Sequence, residues 1–371
     1  MADMHMDAPF SSLGTLGGTA VERRLEQRLV FKNIVDLANQ RNADAILISG
    51  DLFEHEYVSR GTIAFLNECF DSIPHIKVFI SPGNHDPYVK NSYYSSYEWS
   101  SNIHIFKDKL ESIHLDNFDT SVYGVGFNDF LLFDSRLKGL KVEDHSRINI
   151  LVVHASVDSL AGPPGYHTIS SSELEKSGLD YLALGHIHKF MPDLIKGRAY
   201  YPGSSVSLGF DEPGRHGVII GQVEKGGVTD LEFIPVDTKE YITLQVDVSD
   251  CQTSHAIASK VLEAIIPGLQ KENYYRIIVS GMVRPEVLEE LNLVKELLDP
   301  NISGYKLILK YDLLPEYDYG QIALGNDLKA LFVRKLLEEI KNESNEDGVK
   351  RLKTALHLGL CALEGRRVTS V

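Results

Sequence analysis

Four apolar runs in this sequence each end on a histidine, an aspartate or an asparagine. Asp51 follows Ala45 to Gly50, Asn84 and His85 follow Ile76 to Gly83, His154 follows Ile148 to Val153, and His186 and His188 follow Tyr181 to Gly185. Open α/β sheets gather their ligands beyond the carboxyl ends of the strands, so these side chains are expected to converge on one crevice. With Asp3 and His5 at the start of the chain, seven candidate ligands result: Asp3, His5, Asp51, Asn84, His154, His186 and His188. Carboxylate, imidazole and amide oxygen together suit two divalent ions such as Mn2+, Fe2+ or Zn2+ better than calcium or a thiolate-seeking metal. The two oxygens of Asp51 can hold two cations close together. Ions roughly 3.5–4 Å apart clamp a phosphate, activate a water and stabilise an in-line displacement. His85, next to Asn84 but outside that ligand set, is the candidate catalytic residue that protonates a leaving alkoxide, with Asp86 expected to orient its ring.

A lone strand-end histidine or Gly-Asp turn is common and says little. Here order, spacing and strand context agree, and the elements between the motifs are those needed to bring them together. Val21 to Asn42 reads as a helix with Leu25, Leu29, Ile34 and Leu37 on its apolar face, followed by a strand at Ala45 to Ser49, a helix at Thr62 to Phe70 and a strand at Ile76 to Ser81. That alternation is the mark of an α/β layer architecture. Short strands follow between Ile103 and Phe127, and a hairpin between Gly217 and Val236. After Thr238-Lys239-Glu240 the pattern changes to strand, helix, strand, helix, strand, the second helix spanning Pro285 to Leu298. Two amphipathic helices, Asp327 to Ile340 and Val349 to Leu363, close the chain. Three domains are expected: a catalytic domain over 1–238, a small α+β cap over 239–315 and a helical tail over 316–371.

The 371 residues exceed what one hydrophobic core usually supports. Three cysteines, far apart and unclustered, argue for a reducing cytoplasm rather than a disulfide scaffold or a zinc knot. No segment has the length and apolarity of a membrane span, and no membrane partner is expected. A net charge of −15 argues against coating nucleic acid by bulk electrostatics. It leaves a phosphodiester substrate open, because two divalent ions bring their own positive charge.

Asp3-Met4-His5, Gly50-Asp51, Gly83-Asn84-His85-Asp86, His154 and Gly185-His186-Ile187-His188 resemble, in order, the motifs of calcineurin-like metallophosphoesterases. Ile48 to Phe53, Leu184 to His188, Tyr201-Pro202-Gly203-Ser204 and Glu212 to Gly217 narrow the resemblance to the SbcD/YhaO-type DNA repair exonucleases. The resemblance implies an α/β, two-sheet αββα sandwich with a capping domain and a helical tail. It puts Asp3, His5, Asp51 and His188 on one metal and Asp51, Asn84, His154 and His186 on the other, with His85 as the catalytic histidine. His55 is a candidate substrate-binding residue, while Glu54 stands where some family nucleases carry a histidine. Serine/threonine phosphatases of the superfamily carry an arginine shortly after the Gly-Asp motif, whereas Phe53-Glu54-His55-Glu56 follows here, which lowers that reading. The family places its first ligand at the end of a central strand. Only Met1-Ala2 precede Asp3, so that strand is expected to be missing or truncated: either the true start lies upstream, or Asp3 and His5 hang from a frayed terminus.

The leading functional reading is therefore a manganese-dependent DNA exonuclease of the cytoplasm, acting in DNA repair. Its implied partners are DNA, an SbcC/YhaN-like ATPase held by the helical tail, and a second copy of the chain in a homodimer. The apolar stripes for the ATPase are Leu328, Leu331, Phe332 and Leu336, and Val349, Leu352, Leu356, Leu360 and Leu363. Tyr93, Tyr94, Tyr97 and Trp99 are either base-stacking residues or, the better-weighted reading, an aromatic core beneath the Asn84-His85 loop. The alternatives are a small-molecule phosphodiesterase or phosphatase, for which a cap and tail have little use, and an inactive scaffold protein lacking its first strand.

Overall fold

The computed structural model describes residues 1–14, 18–132, 135–137, 139–158, 167–195 and 197–365. The chain divides into two units, Met1–Ile242 with Glu272–Tyr274, and Thr243–Lys271 with the residues from Tyr275 onward.

In the first unit the apolar runs become strands of two sheets. Strands β1 (Ala45–Ile48), β2 (Lys77–Ile80) and β3 (Ile103–Ile105) form a parallel sheet in that order. Five further strands form the second sheet: β4 (Glu111–Leu115), β5 (Thr120–Val125), β6 (Ile148–His154) and, after a ribbon of β7 (Ser156–Val157) with β8 (Thr168–Ile169), β9 (Tyr181–Gly185) and β10 (Ala199–Tyr200). Their order is β10-β9-β6-β5-β4, parallel except for the β4/β5 pair. Val- and Ile-rich runs such as Asn149 to Val153 are buried on both faces because each sheet is covered twice. The inner faces meet through Phe79, Phe106, Val122, Ile150, Val152 and Ala183. Helices α1 (Thr19–Gln40) and α2 (Arg60–Asp71) pack Phe31, Ile34, Ile63 and Leu66 against Ile48, Val78 and Ile80 of the first sheet. Beyond the short α3 (Tyr93–Ser96), helix α4 (Ser171–Lys176) sets Leu174 against Leu151, Val153 and Leu182 of the second. The result is the αββα sandwich expected from the sequence, completed by the antiparallel hairpin β11 (Gly217–Glu224) and β12 (Gly227–Pro235).

Two local expectations are corrected. The buried face of α1 does not contain Leu25 and Leu29, which are 58% and 63% exposed; it runs through Arg23, Gln27, Phe31, Ile34 and Ala38. The polar groups that go inside there are paired through the Arg23 terminal nitrogens and the Gln27 amide nitrogen, while Arg23 Nε and Gln27 Oε1 have no hydrogen-bond partner among the described residues. Arg23 pairs with buried Asp237, and the Gln27 amide donates to the carbonyls of Met4 and His5 at 2.7 and 2.8 Å. The N-terminal run is likewise not frayed. Ser49 N–H donates to the Met1 carbonyl, Asp3 N–H to Gly50, His5 N–H to Asp51 and Glu54 N–H to Met6, and Met4 and Met6 are fully buried. Backbone pairing beside β1 and buried methionines hold a segment that chain position alone would leave loose.

A sheet of β13 (Tyr241–Asp247), β14 (Tyr274–Val283) and β15 (Lys306–Pro315) belongs largely to the second unit, with α5 (Ser254–Ile265), α6 (Pro285–Glu289) and α7 (Leu291–Ile302). The single helix expected from Pro285 is thus two helices, divided at Glu290. After α8 (Tyr319–Ala323), helices α9 (Leu328–Asn342) and α10 (Glu346–Leu363) share a core of Tyr317, Val333, Leu356, Leu360 and Cys361, joined by Phe332 and Leu336. Leu328, Leu331 and Leu363 of the same helices stay exposed.

Candidate metal centre

The carboxyl ends of β1, β6 and β9 and the turn after β2 bring their polar residues to one place, and the run Asp3 to Met6 lies alongside. Three overlapping groups of donor atoms, each within 4.8 Å, result: Asp3, His5 and His188; His5, Asp51 and His85; and Asp3, Asp51 and His154. The His154 Nε2 nitrogen lies 3.0 Å from Asn84 Oδ1 and 3.3 Å from Asp51 Oδ2. His5 Nε2 is 3.2 Å from His188 Nε2 and 3.7 Å from Asp51 Oδ2, and His188 Nε2 is 3.8 Å from Asp3 Oδ1. His186 completes the cluster, its ring centroid 5.2 Å from that of His154 and its N–H donating to the Asp3 carboxylate. All seven sequence-derived candidates therefore meet in one cluster, and His85, given a separate role by the sequence, reaches its edge.

Local backbone conformation aims these groups. Asp3, His5, Asp51 and His186 have φ of 50°, 47°, 51° and 102°, a left-handed region that costs a non-glycine residue about 1–3 kcal/mol and persists where the surroundings enforce it. One enforcer is Asp86. Its buried carboxylate accepts from the backbone N–H groups of Asp51, Leu52 and Gly83 and from the Tyr94 hydroxyl, tying the two loops together. It does not orient the His85 ring, as the sequence suggested, because its oxygens face those donors. Tyr94 is core, and Tyr93, Tyr97 and Trp99 pack against the same cluster, so the aromatic group lies beneath the loop. Gly83 is required by proximity: a Cβ there would run into the Asp51 carboxylate.

Acceptors behind the histidines turn them inward. Nδ1 of His154 donates to the Ser49 carbonyl at 2.9 Å, Nδ1 of His5 lies 2.8 Å from Glu54 Oε1, and Nδ1 of His188 lies 2.6 Å from Glu212 Oε1. Each ring thereby presents Nε2 to the cluster, the arrangement by which a carboxylate or carbonyl fixes the tautomer and aim of a metal-ligating histidine. Sequence reasoning missed Glu54 and Glu212 as functional residues. Glu54 occupies the position where some family nucleases carry a histidine, and Glu212 opens the Glu212 to Gly217 motif, whose family likeness was its only signal. His55 donates its backbone N–H to the His85 carbonyl, and its ring lies edge-on to Phe130, 5.5 Å away, outside the donor groups.

The electrostatics of the site match this geometry. Burial raises the Asp3 carboxyl against the pull of His188 and His154. For Asp51, burial is outweighed by His154, His5 and His85, which hold it down at about 2. The hydrogen bond to Glu54 lifts His85 to about 9, and burial beside His154 lowers His186 to about 4. Among the described residues the ion-pair partners of the two buried carboxylates are imidazoles. Donor atoms 3.0–3.8 Å apart have the spacing of ligands around ions bound at roughly 2.0–2.2 Å. The residues fit a pair of divalent cations.

Fold and site together define a metallophosphoesterase, and comparison with known proteins gives the same class: the sequence model of the calcineurin-like phosphoesterase family matches residues 1–190, so the chain belongs to that family. The family hydrolyses phosphate esters and uses divalent metals. The chain is 26% identical over 299 residues to the uncharacterised metallophosphoesterase YhaO of Bacillus subtilis, covering 78% of this chain and 72% of that protein. It is 20% identical over 367 residues to the SbcD component of the nuclease SbcCD of Staphylococcus epidermidis, covering 88% and 92%. A third relative, the DNA double-strand break repair protein Mre11 of Methanopyrus kandleri, is 22% identical over 281 residues, covering 67% and 58%. No helix among the described residues is long and apolar enough to cross a membrane.

Proposed function

We propose that this protein is a metal-dependent nuclease that hydrolyses DNA phosphodiesters, as an exonuclease in DNA repair. The observation that carries this reading is the convergence of Asp3, His5, Asp51, Asn84, His154, His186 and His188 around two buried carboxylates, with His85 at its edge. In this reading Asp3, His5, Asp51 and His188 hold one ion and Asp51, Asn84, His154 and His186 the other, most readily Mn2+. When bound, the pair supplies Lewis-acid stabilisation of phosphate charge and a strong nucleophile at neutral pH.

The chain's own residues do the rest. Glu54 occupies Nδ1 of His85, so a proton held at Nε2 is available to a leaving 3′- or 5′-oxygen, and a side chain 45% exposed can reach a substrate. The names of two relatives, the nuclease SbcCD and the DNA double-strand break repair protein Mre11, support DNA as the substrate. The exposed leucines Leu328, Leu331 and Leu363 support a docking surface for an SbcC/YhaN-like ATPase, since Phe332, Leu336, Leu356 and Leu360 are consumed in the α9/α10 core. Cleavage of linear DNA by the purified chain with Mn2+, beside His85→Ala, tests the reading. Metal-dependent loss of DNA that His85→Ala abolishes supports it, and inactivity toward DNA with rapid cleavage of a small phosphodiester would replace it.

A further inference from the structure

The segment that leaves β5 carries two phenylalanines three residues apart, and each packs on a histidine at or beside the metal centre. Phe127 is buried, its ring edge-on to His154 at 5.7 Å. Phe130 lies edge-on to His55 at 5.5 Å and is 44% exposed, and its neighbour Leu131 is 50% exposed. His55 donates its backbone N–H to the His85 carbonyl at 2.9 Å, which places Phe130 one residue away from the candidate acid. Nδ1 of His55 has no hydrogen-bond partner among the described residues, so packing against Phe130 sets the plane of that ring.

The segment is tethered at both ends. Phe127 N–H donates to the Pro82 carbonyl at 3.0 Å, and its carbonyl accepts from Tyr88 N–H at 2.7 Å. The Leu132 carbonyl accepts from His167 N–H at 2.8 Å, and the Arg136 guanidinium donates to Asn128 Oδ1 at 2.8 Å. A tethered loop that keeps two adjacent apolar side chains in water beside a polar centre presents them to a ligand with an apolar face. Lys107 adds a cation at the start of the same segment: its carbonyl accepts from Gly126 N–H, and its Nζ sits 5.7 Å from the Tyr88 ring centroid. A nucleotide in a strand combines the two matching features, a flat base and an anionic phosphate. We propose that Phe130, flanked by Leu131, is a stacking platform that receives an unpaired nucleobase next to the scissile phosphodiester. The proposal rests on the DNA reading above and adds a substrate preference to it. Bases within a paired duplex have both faces covered, whereas a base in a single strand is free to turn onto an aromatic ring. The site therefore favours single strands and unpaired ends over paired duplex.

The test compares the chain as it stands with Phe130→Ala and Phe130→Trp. On single-stranded DNA, Phe130→Ala is expected to raise KM about tenfold, the scale of one lost base–aromatic stack, with kcat changed less, while Phe130→Trp keeps KM at or below its original value. The advantage of an unpaired end over a blunt one should shrink in Phe130→Ala. Binding is read apart from cleavage by the fluorescence of Phe130→Trp in a His85→Ala background with Mn2+, taken over the signal of Trp99 in the same background without Phe130→Trp. A single-stranded oligonucleotide is expected to quench it, and an oligonucleotide of abasic sites is not. Quenching that needs the bases supports the platform even where the unaltered chain cleaves no DNA, a result that would overturn only the nuclease reading. DNA cleavage with the same KM in all three proteins, together with fluorescence blind to the bases, would overturn the platform and leave the nuclease reading standing.

Discussion

Glu54 Oε2 lies 3.0 Å from Nδ1 of His85, while its other oxygen lies 2.8 Å from Nδ1 of His5. One carboxylate thus braces a candidate metal ligand and the candidate acid. Glu54→Gln keeps the shape and removes the charge, and groups behind metal ligands typically cost 10–100-fold in activity or metal affinity when changed, so a loss of about that size is expected. Mn2+ titration and turnover on a phosphodiester measure both parts; unchanged values for each would remove Glu54 from the machinery.

Asp86 is predicted to matter for stability first. Asp86→Ala strips acceptors from three backbone N–H groups and the Tyr94 hydroxyl in a buried loop junction. Leaving such donors unsatisfied costs roughly 1–3 kcal/mol each, and with partial relaxation a total near 3 kcal/mol is expected. Urea unfolding is the measurement, and a loss under about 1 kcal/mol would mean that water takes over the role.

Gly83→Ala is expected to disturb the site more than the fold. The new methyl group meets the Asp51 carboxylate, the group best placed to be shared between ions. Metal affinity and phosphodiester cleavage should fall at least tenfold, with the thermal midpoint lowered by only a few degrees. Isothermal titration with Mn2+ decides the matter, and wild-type affinity would show that Asp51 shifts freely.

Buried Arg23 pairs with Asp237 beneath the rings of Phe10, Tyr241 and Tyr274, whose centroids lie 5.8–5.9 Å from its guanidinium carbon. Removing one partner of a buried pair strands the other charge, so Arg23→Leu should destabilise by about 3–5 kcal/mol. A much smaller loss in chemical denaturation would show that the N–H groups of Ser207 and Lys239 satisfy Asp237 by themselves.

Much of this architecture was legible in the sequence because the informative residues sit at the ends of apolar runs. Asp51, Asn84, His154, His186 and His188 follow strands or strand turns whose boundaries the apolar pattern marks, and parallel pairing then brings those ends together. What was not legible depends on partners distant in sequence. Glu54 and Glu212 are single acids in loops, and their value comes only from His5, His85 and His188 folding against them. The face of α1 was misread because Leu25 and Leu29 share the helical period with Ile34, while Arg23 and Gln27, polar by type, are buried against Asp237 and the Met4 and His5 carbonyls. The frayed start was expected from chain position, whereas pairing to Ser49, Gly50 and Asp51 keeps it in place.

The most direct test of the central claim is degradation of linear duplex and single-stranded DNA by the purified chain in Mn2+, alone and with an SbcC/YhaN-like ATPase, beside His85→Ala and a chelator control. Cleavage that needs the metal and falls at least a hundredfold in His85→Ala, the low end of what a positioned proton donor contributes, is the predicted result. Intact DNA under every condition, from protein that binds Mn2+ normally, would contradict it.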